Sequence, residues 1–200
     1  MLKRRNTNNI IIAFEGIDGA GKSTLIRNLL EDDYLKNRTS LYSRTQKGEW
    51  MKKILGNHFM QRHYMLQIPF YLFLSYKNYW RFRKQGTAEF IIMDRCFLSN
   101  VCYYFPRALD VPKFFKFLSV FEINMMPDII FILDVNAEIG QVRDGMQKEL
   151  NWLERTRQTY LHVPNSLIGK KMRIHIIDEN VSIENKKNIV IQYVKGIEKS

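Results

Sequence analysis

The stretch Gly16-Ile17-Asp18-Gly19-Ala20-Gly21-Lys22-Ser23 constrains this chain more than any other. It satisfies G-x-x-x-x-G-K-[ST], the phosphate-binding P-loop, without a mismatch. Its flanks agree with it. Ile10-Ile11-Ile12-Ala13-Phe14 is a short apolar run, the pattern of a strand buried on both faces. After it, Thr24 to Leu30 carries apolar residues at helical spacing. Strand, glycine loop and helix in that order form a cradle for phosphate. Glycines let successive N–H groups turn inward, and the helix N-terminus adds partial positive charge behind them. In that arrangement Gly16 to Thr24 bind ATP, Lys22 bridges its β- and γ-phosphates, and the Ser23 hydroxyl sits on Mg²⁺.

The remainder alternates strand and helix. Strands are expected at 40–44, 89–94, 127–135 and 172–177, and helices at 51–57, 63–85, 98–105, 113–122, 137–143, 150–161 and 183–197. With the first strand this makes a three-layer α/β/α P-loop NTPase fold on a five-stranded parallel sheet. Phe90-Ile91-Ile92-Met93-Asp94 ends an apolar strand on a carboxylate, the Walker B pattern, at the sheet edge where ligands bind in open α/β folds. The two hundred residues suit a single domain, with a basic tail at 1–8 and no linker or repeat.

A net charge of +11 points to anionic partners. No recognition motif for DNA or RNA accompanies it, so nucleic acid is not expected. Cys96 and Cys102 have no metal-type spacing and read as free thiols, and His58, His63, His162 and His175 show no ligand pattern. The first apolar run breaks at Glu15, too short for a signal peptide or a membrane span. A cytoplasmic protein with no membrane partner is the expectation.

From Phe14 to Leu161 the chain resembles the thymidylate kinase family of P-loop nucleoside monophosphate kinases. Phe14-Glu15-Gly16-Ile17-Asp18-Gly19-Ala20-Gly21-Lys22-Ser23-Thr24 is similar to that family's opening motif, and Asp94-Arg95 to its Asp-Arg pair. The resemblance implies that Asp18 holds the acceptor's sugar 3′-hydroxyl. It implies that Asp94 acts beside Mg²⁺ and that Arg95 grips the acceptor phosphate. It also gives Arg44 a phosphate contact, Phe73 the stacking position, and Ser99 and Tyr103 places along the base pocket. Trp152 to Leu161 resembles the helix after the family's lid. The implied activity is transfer of the γ-phosphoryl of ATP to a nucleoside monophosphate, dTMP above all, by a homodimer paired through the long helix at 63–85.

Four positions depart from the family pattern. Lys77 stands where an Arg contacts base and phosphate, and lacks its planar fork. Cys96 replaces a Tyr, and Tyr104 stands where a Gln or Thr completes base recognition. The lid, residues 144–151, is short and holds Lys148 as its one basic residue. Arg143, Lys148 and Arg155 are the candidates to replace the missing lid arginine, with Arg143 assigned to ATP. These departures keep two alternatives open: a kinase for another nucleotide, a nucleoside or a small phosphorylated acceptor, or a nucleotide-binding protein with little catalysis.

Overall fold

A computed structural model describes residues 9–43, 88–104, 127–167 and 169–198. The tail at 1–8, the helices expected at 51–57, 63–85 and 113–122, and Arg44, Phe73 and Lys77 lie outside the described residues.

Five strands form one sheet: β1 (Ile10–Glu15), β2 (Thr39–Ser43), β3 (Phe90–Asp94), β4 (Ile129–Leu133) and β5 (Ile174–Ile177). All pair in parallel, in the order β2-β3-β1-β4-β5. The described helices are α1 (Lys22–Leu30), α2 (Phe97–Tyr104), α3 (Ala137–Arg143), α4 (Leu150–His162) and α5 (Ile183–Glu198). The expected parallel α/β sheet is the observed one. The apolar runs in β1, β3 and β4 are continuous because helices cover both faces of the sheet.

Alternation along β1 shows the two faces. Phe14 stacks on Phe131 at 5.6 Å, and Phe131 meets Tyr193 of α5 edge-on at 5.8 Å. The next residue, Glu15, points the other way, toward Ser99 of α2 and Tyr160 of α4. One face is thus hydrocarbon and aromatic, while the other carries a buried carboxylate.

The strand ends differ from expectation where particular atoms intervene. β4 begins at Ile129, because Pro127 has no N–H to give and Asp128 instead clasps Ile11 from both sides. The Ile11 N–H donates to Asp128 Oδ2 at 2.8 Å, and the Asp128 N–H donates to the Ile11 carbonyl at 2.8 Å. α1 begins at Lys22, earlier than apolar spacing suggests, because Gly21 in the left-handed region (φ +85°) closes the loop and starts the helix. Asn136 caps α3, its side chain accepting from the Glu138 N–H at 2.8 Å.

At the far edge His175 packs at a tilt against Tyr193, ring centres 4.7 Å apart, and the Tyr193 hydroxyl meets His175 Nδ1 at 3.0 Å. Burial lowers the His175 pKa. The unfolded chain therefore takes up its proton first as pH falls below about 6.5. The associated stability is complete above that value and is lost as pH falls through the folded one. His175→Phe keeps the ring contacts and is expected to flatten the fall in Tm between pH 7 and 5. Equal slopes in wild type and variant refute this.

Candidate active site

The phosphate loop, the end of β3 and the segment between α3 and α4 meet at the C-terminal edge of the sheet. Within the loop Gly16, Gly19 and Gly21 all take positive φ, at +135°, +75° and +85°. Two of them are also needed for space. A Cβ on Gly16 sits 2.5 Å from the Leu133 carbonyl oxygen, and one on Gly19 sits 2.1 Å from that of Gly140. Helix α3 thus buttresses the loop backbone to backbone, and Gly140 is the residue that permits it.

Lys22 is buried, and its ammonium donates to the carbonyls of Gly16 at 3.1 Å and Ile17 at 2.7 Å. Burial first, and then the Arg95 charge, hold its pKa well below the ordinary lysine value against the pull of Asp94, Glu15 and Asp144. An anion arriving at the loop relieves both penalties.

Arg95 leaves β3 in the left-handed region, φ +70°, a conformation costing a non-glycine residue about 1–3 kcal/mol. Its backbone N–H donates to the Phe14 carbonyl at 3.0 Å. Its Nη1 donates to the Gly16 carbonyl at 2.9 Å and to Ser99 Oγ at 3.2 Å, and its Nη2 to Asp18 Oδ1 at 2.5 Å. Tyr103 lies beneath it, with the guanidinium carbon 5.3 Å from the ring centre. Burial works against the charge, but Tyr160, Tyr103, Glu15 and Asp94 outweigh it and keep the guanidinium firmly protonated.

Behind Arg95 stands Glu15, fully buried. Its Oε1 accepts from the N–H groups of Cys96 at 2.7 Å and Ser99 at 3.2 Å, satisfying the start of α2. Its Oε2 accepts from Ser99 Oγ at 2.6 Å and the Tyr160 hydroxyl at 2.8 Å. Burial, reinforced by this carboxylate, drives the Tyr160 pKa well up, so the phenol stays a donor. The sequence places Glu15 in the opening motif and at the end of an apolar run, without pointing to a role for its carboxylate. The available signal was a carboxylate at the end of a strand otherwise buried throughout, which must find donors.

The remaining expected residues fall as follows. Asp18 is shared, Arg95 on one oxygen and Lys148 on the other. Ser99 is buried under Glu15 and Arg95, so it reaches any ligand through Arg95. Tyr103 packs on Trp152 at 5.0 Å, its ring near both Arg95 and Lys148. Tyr104 ends α2, and its side chain lies outside the described residues. Ile17 and Ala20 are buried in the loop, while Ser23 and Thr24 are exposed at the start of α1. Arg143 ends α3 facing solvent, with its charge felt by Lys186.

Asp94 follows the register of Phe14 and Ser43, and its carboxylate takes no hydrogen bond from a described residue. Asp144, at the end of α3, keeps Oδ2 buried without a hydrogen-bond partner. These hard oxygen donors near Lys22 fit Mg²⁺, an ion that takes few protein ligands and draws the rest from phosphate and water. Among the described residues no cluster of three or more His, Cys, Asp or Glu could hold a metal ion by itself.

The fold and this edge define a P-loop phosphotransferase. The family model for thymidylate kinase matches residues 14–190. Among curated relatives, a thymidylate kinase of Thermosipho melanesiensis is 29% identical over 181 residues, 78% of this chain and 85% of the relative. A probable thymidylate kinase of Sulfurisphaera tokodaii is 25% identical over 194 residues, 94% of this chain and 97% of the relative. The solved thymidylate kinase of Ehrlichia chaffeensis shares the fold with a TM-score of 0.65 at 22% identity, covering 93% of this chain and 98% of that one. This chain belongs to the thymidylate kinase family.

Two substitutions test how the site is held. Glu15→Ala strands buried donors from α2 and α4, and each such group costs about 1–3 kcal/mol. Denaturant unfolding is therefore expected to show a loss above about 2 kcal/mol, and a smaller loss refutes the role. Gly140→Ala puts a Cβ 2.9 Å from the Asp18 carbonyl oxygen and 2.9 Å from Ile17 Cδ1. It is expected to cost about 1–3 kcal/mol and to weaken nucleotide binding. Unchanged affinity removes α3 as the loop's support.

Proposed function

We propose that this chain phosphorylates a nucleoside monophosphate with ATP, and that the acceptor is dTMP. The observation that carries the reading is the convergence of Lys22 and Arg95 on one atom, the Gly16 carbonyl oxygen. A donor-side cation and an acceptor-side cation share a border there, which is what bringing two anionic phosphates together demands.

The loop N–H groups hold the β-phosphate of ATP, and Lys22 swings from the Gly16 and Ile17 carbonyls onto the β- and γ-phosphates. Arg95 takes the acceptor phosphate, with Glu15, Ser99 and Tyr160 fixing its plane. An acceptor phosphate oxygen attacks the γ-phosphorus in line. The new P–O bond forms as the bond to the β–γ bridging oxygen breaks, and ADP leaves with the electron pair. The acceptor oxygen is already anionic, so no general base is required. Ser23 and Asp94 would hold Mg²⁺, which would supply positive charge where the phosphates meet. Phe73, Lys77, Arg44 and Tyr104 complete the acceptor site in this reading, and Arg143 flanks ATP.

Among the described residues no helix is long and apolar enough to cross a membrane, and Cys96 and Cys102 are buried and in no disulfide. Buried thiols outside a disulfide fit work in a reducing cytoplasm. The family resemblance supports a homodimer, for which light scattering is expected to give twice the 23.9 kDa chain mass.

Steady-state ATP consumption with Mg²⁺ is the test, run with dTMP beside dUMP, dCMP, dGMP, UMP and thymidine. Turnover with dTMP is expected to exceed the others. Lys22→Ala is expected to lower kcat by at least about 10²-fold, the scale of losing one fixed transition-state charge partner. Asp94→Asn is expected to raise the Mg²⁺ needed for half-maximal rate. Absence of turnover across the panel overturns the reading.

A further inference from the structure

The segment joining α3 to α4 turns sharply through Gly145 (φ +69°) and Met146 (φ +58°), and returns Lys148 to the site. Gln141 of α3 anchors that return, its Nε2 donating to the Lys148 carbonyl at 2.8 Å. The Lys148 ammonium forms an ion pair with Asp18 Oδ2 and lies 5.7 Å from the Tyr103 ring centre and 5.5 Å from that of Trp152. Arg143 and Arg155, the other basic side chains flanking this segment, face solvent. Of the three, Lys148 alone is turned into the site.

Asp18 is thereby held by two cations, with Arg95 on its other oxygen. A single carboxylate cannot neutralise both. Burial lowers the Lys148 pKa even beside this carboxylate. The ammonium therefore gains by exchanging a shared monoanion for a dianionic phosphate. Tyr103 and Trp152 form aromatic walls beside the ammonium.

Resting on the kinase reading above, we propose that Lys148 is the residue by which the site selects phosphorylated acceptors over unphosphorylated ones. Until a phosphate arrives, the ammonium stays paired with Asp18. When a nucleoside monophosphate enters, it moves to the acceptor phosphate and pairs with Arg95 across it, which frees Asp18 for the sugar hydroxyl. An unphosphorylated nucleoside offers no anion to draw it off, so Asp18 stays covered.

The test measures Kd for dTMP and for thymidine by calorimetry, with KM for ATP and dTMP, in wild type, Lys148→Met, Lys148→Gln and Lys148→Arg. Both neutral variants are expected to lose at least tenfold in dTMP affinity and, with Asp18 uncovered, to bind thymidine more tightly than wild type, while KM for ATP changes less than twofold. Lys148→Arg is expected to recover most of the loss. Equal dTMP affinity in wild type and the neutral variants overturns the proposal. So does a parallel loss for dTMP and thymidine, which marks a structural role. Wild-type turnover of dTMP separates the two readings: its presence with unchanged variant selectivity refutes the role of Lys148 alone, and its absence refutes both.

Discussion

The site depends on one buried charge. An ionised carboxylate taken out of water costs on the order of several kcal/mol unless donors surround it. Glu15 meets four, two from the backbone at the start of α2, one from Ser99 and one from Tyr160. Those donors belong to separate elements, so satisfying the carboxylate fixes α2 and α4 against β1. Ser99 and Tyr160 in turn stand beside Arg95, whose guanidinium is set by the same network. Removing the carboxylate therefore loosens α2, α4 and the setting of Arg95 together.

A second constraint is crowding of like charge. Lys22 and Arg95 share the Gly16 carbonyl, and Arg95 and Lys148 share Asp18. Each positive group rests on protein oxygens that are weaker partners than phosphate. The site therefore concentrates positive charge, which favours ligands carrying negative charge in the right places. The glycine contact between Gly19 and Gly140 keeps this crowding from relaxing, because the loop cannot shift without moving α3.

Much of the site was legible in the linear order. The phosphate loop, the Asp94-Arg95 strand end and the parallel alternation of strands and helices are local patterns, since they express backbone conformation and burial over a few residues. Glu15 was not legible, because its partners lie more than eighty residues away and their number decides whether a buried carboxylate is tolerable. Ser99 read as a pocket residue, yet it is covered, because helical position alone does not say which neighbour claims a hydroxyl. Of Lys148, Arg143 and Arg155 the sequence reading assigned Arg143 to ATP, and finding Lys148 turned toward Asp18 needed the path of the turn through Gly145 and Met146.

The sequence by itself determined the phosphate-binding chemistry and the order of the parallel elements, because glycine conformations, apolar runs and their spacing act through adjacent residues. Tertiary structure alone decided which cation faces which anion. Electrostatic partnership depends on distance and burial through space, and those are set only once β1, β3, α2, α3 and α4 have packed together.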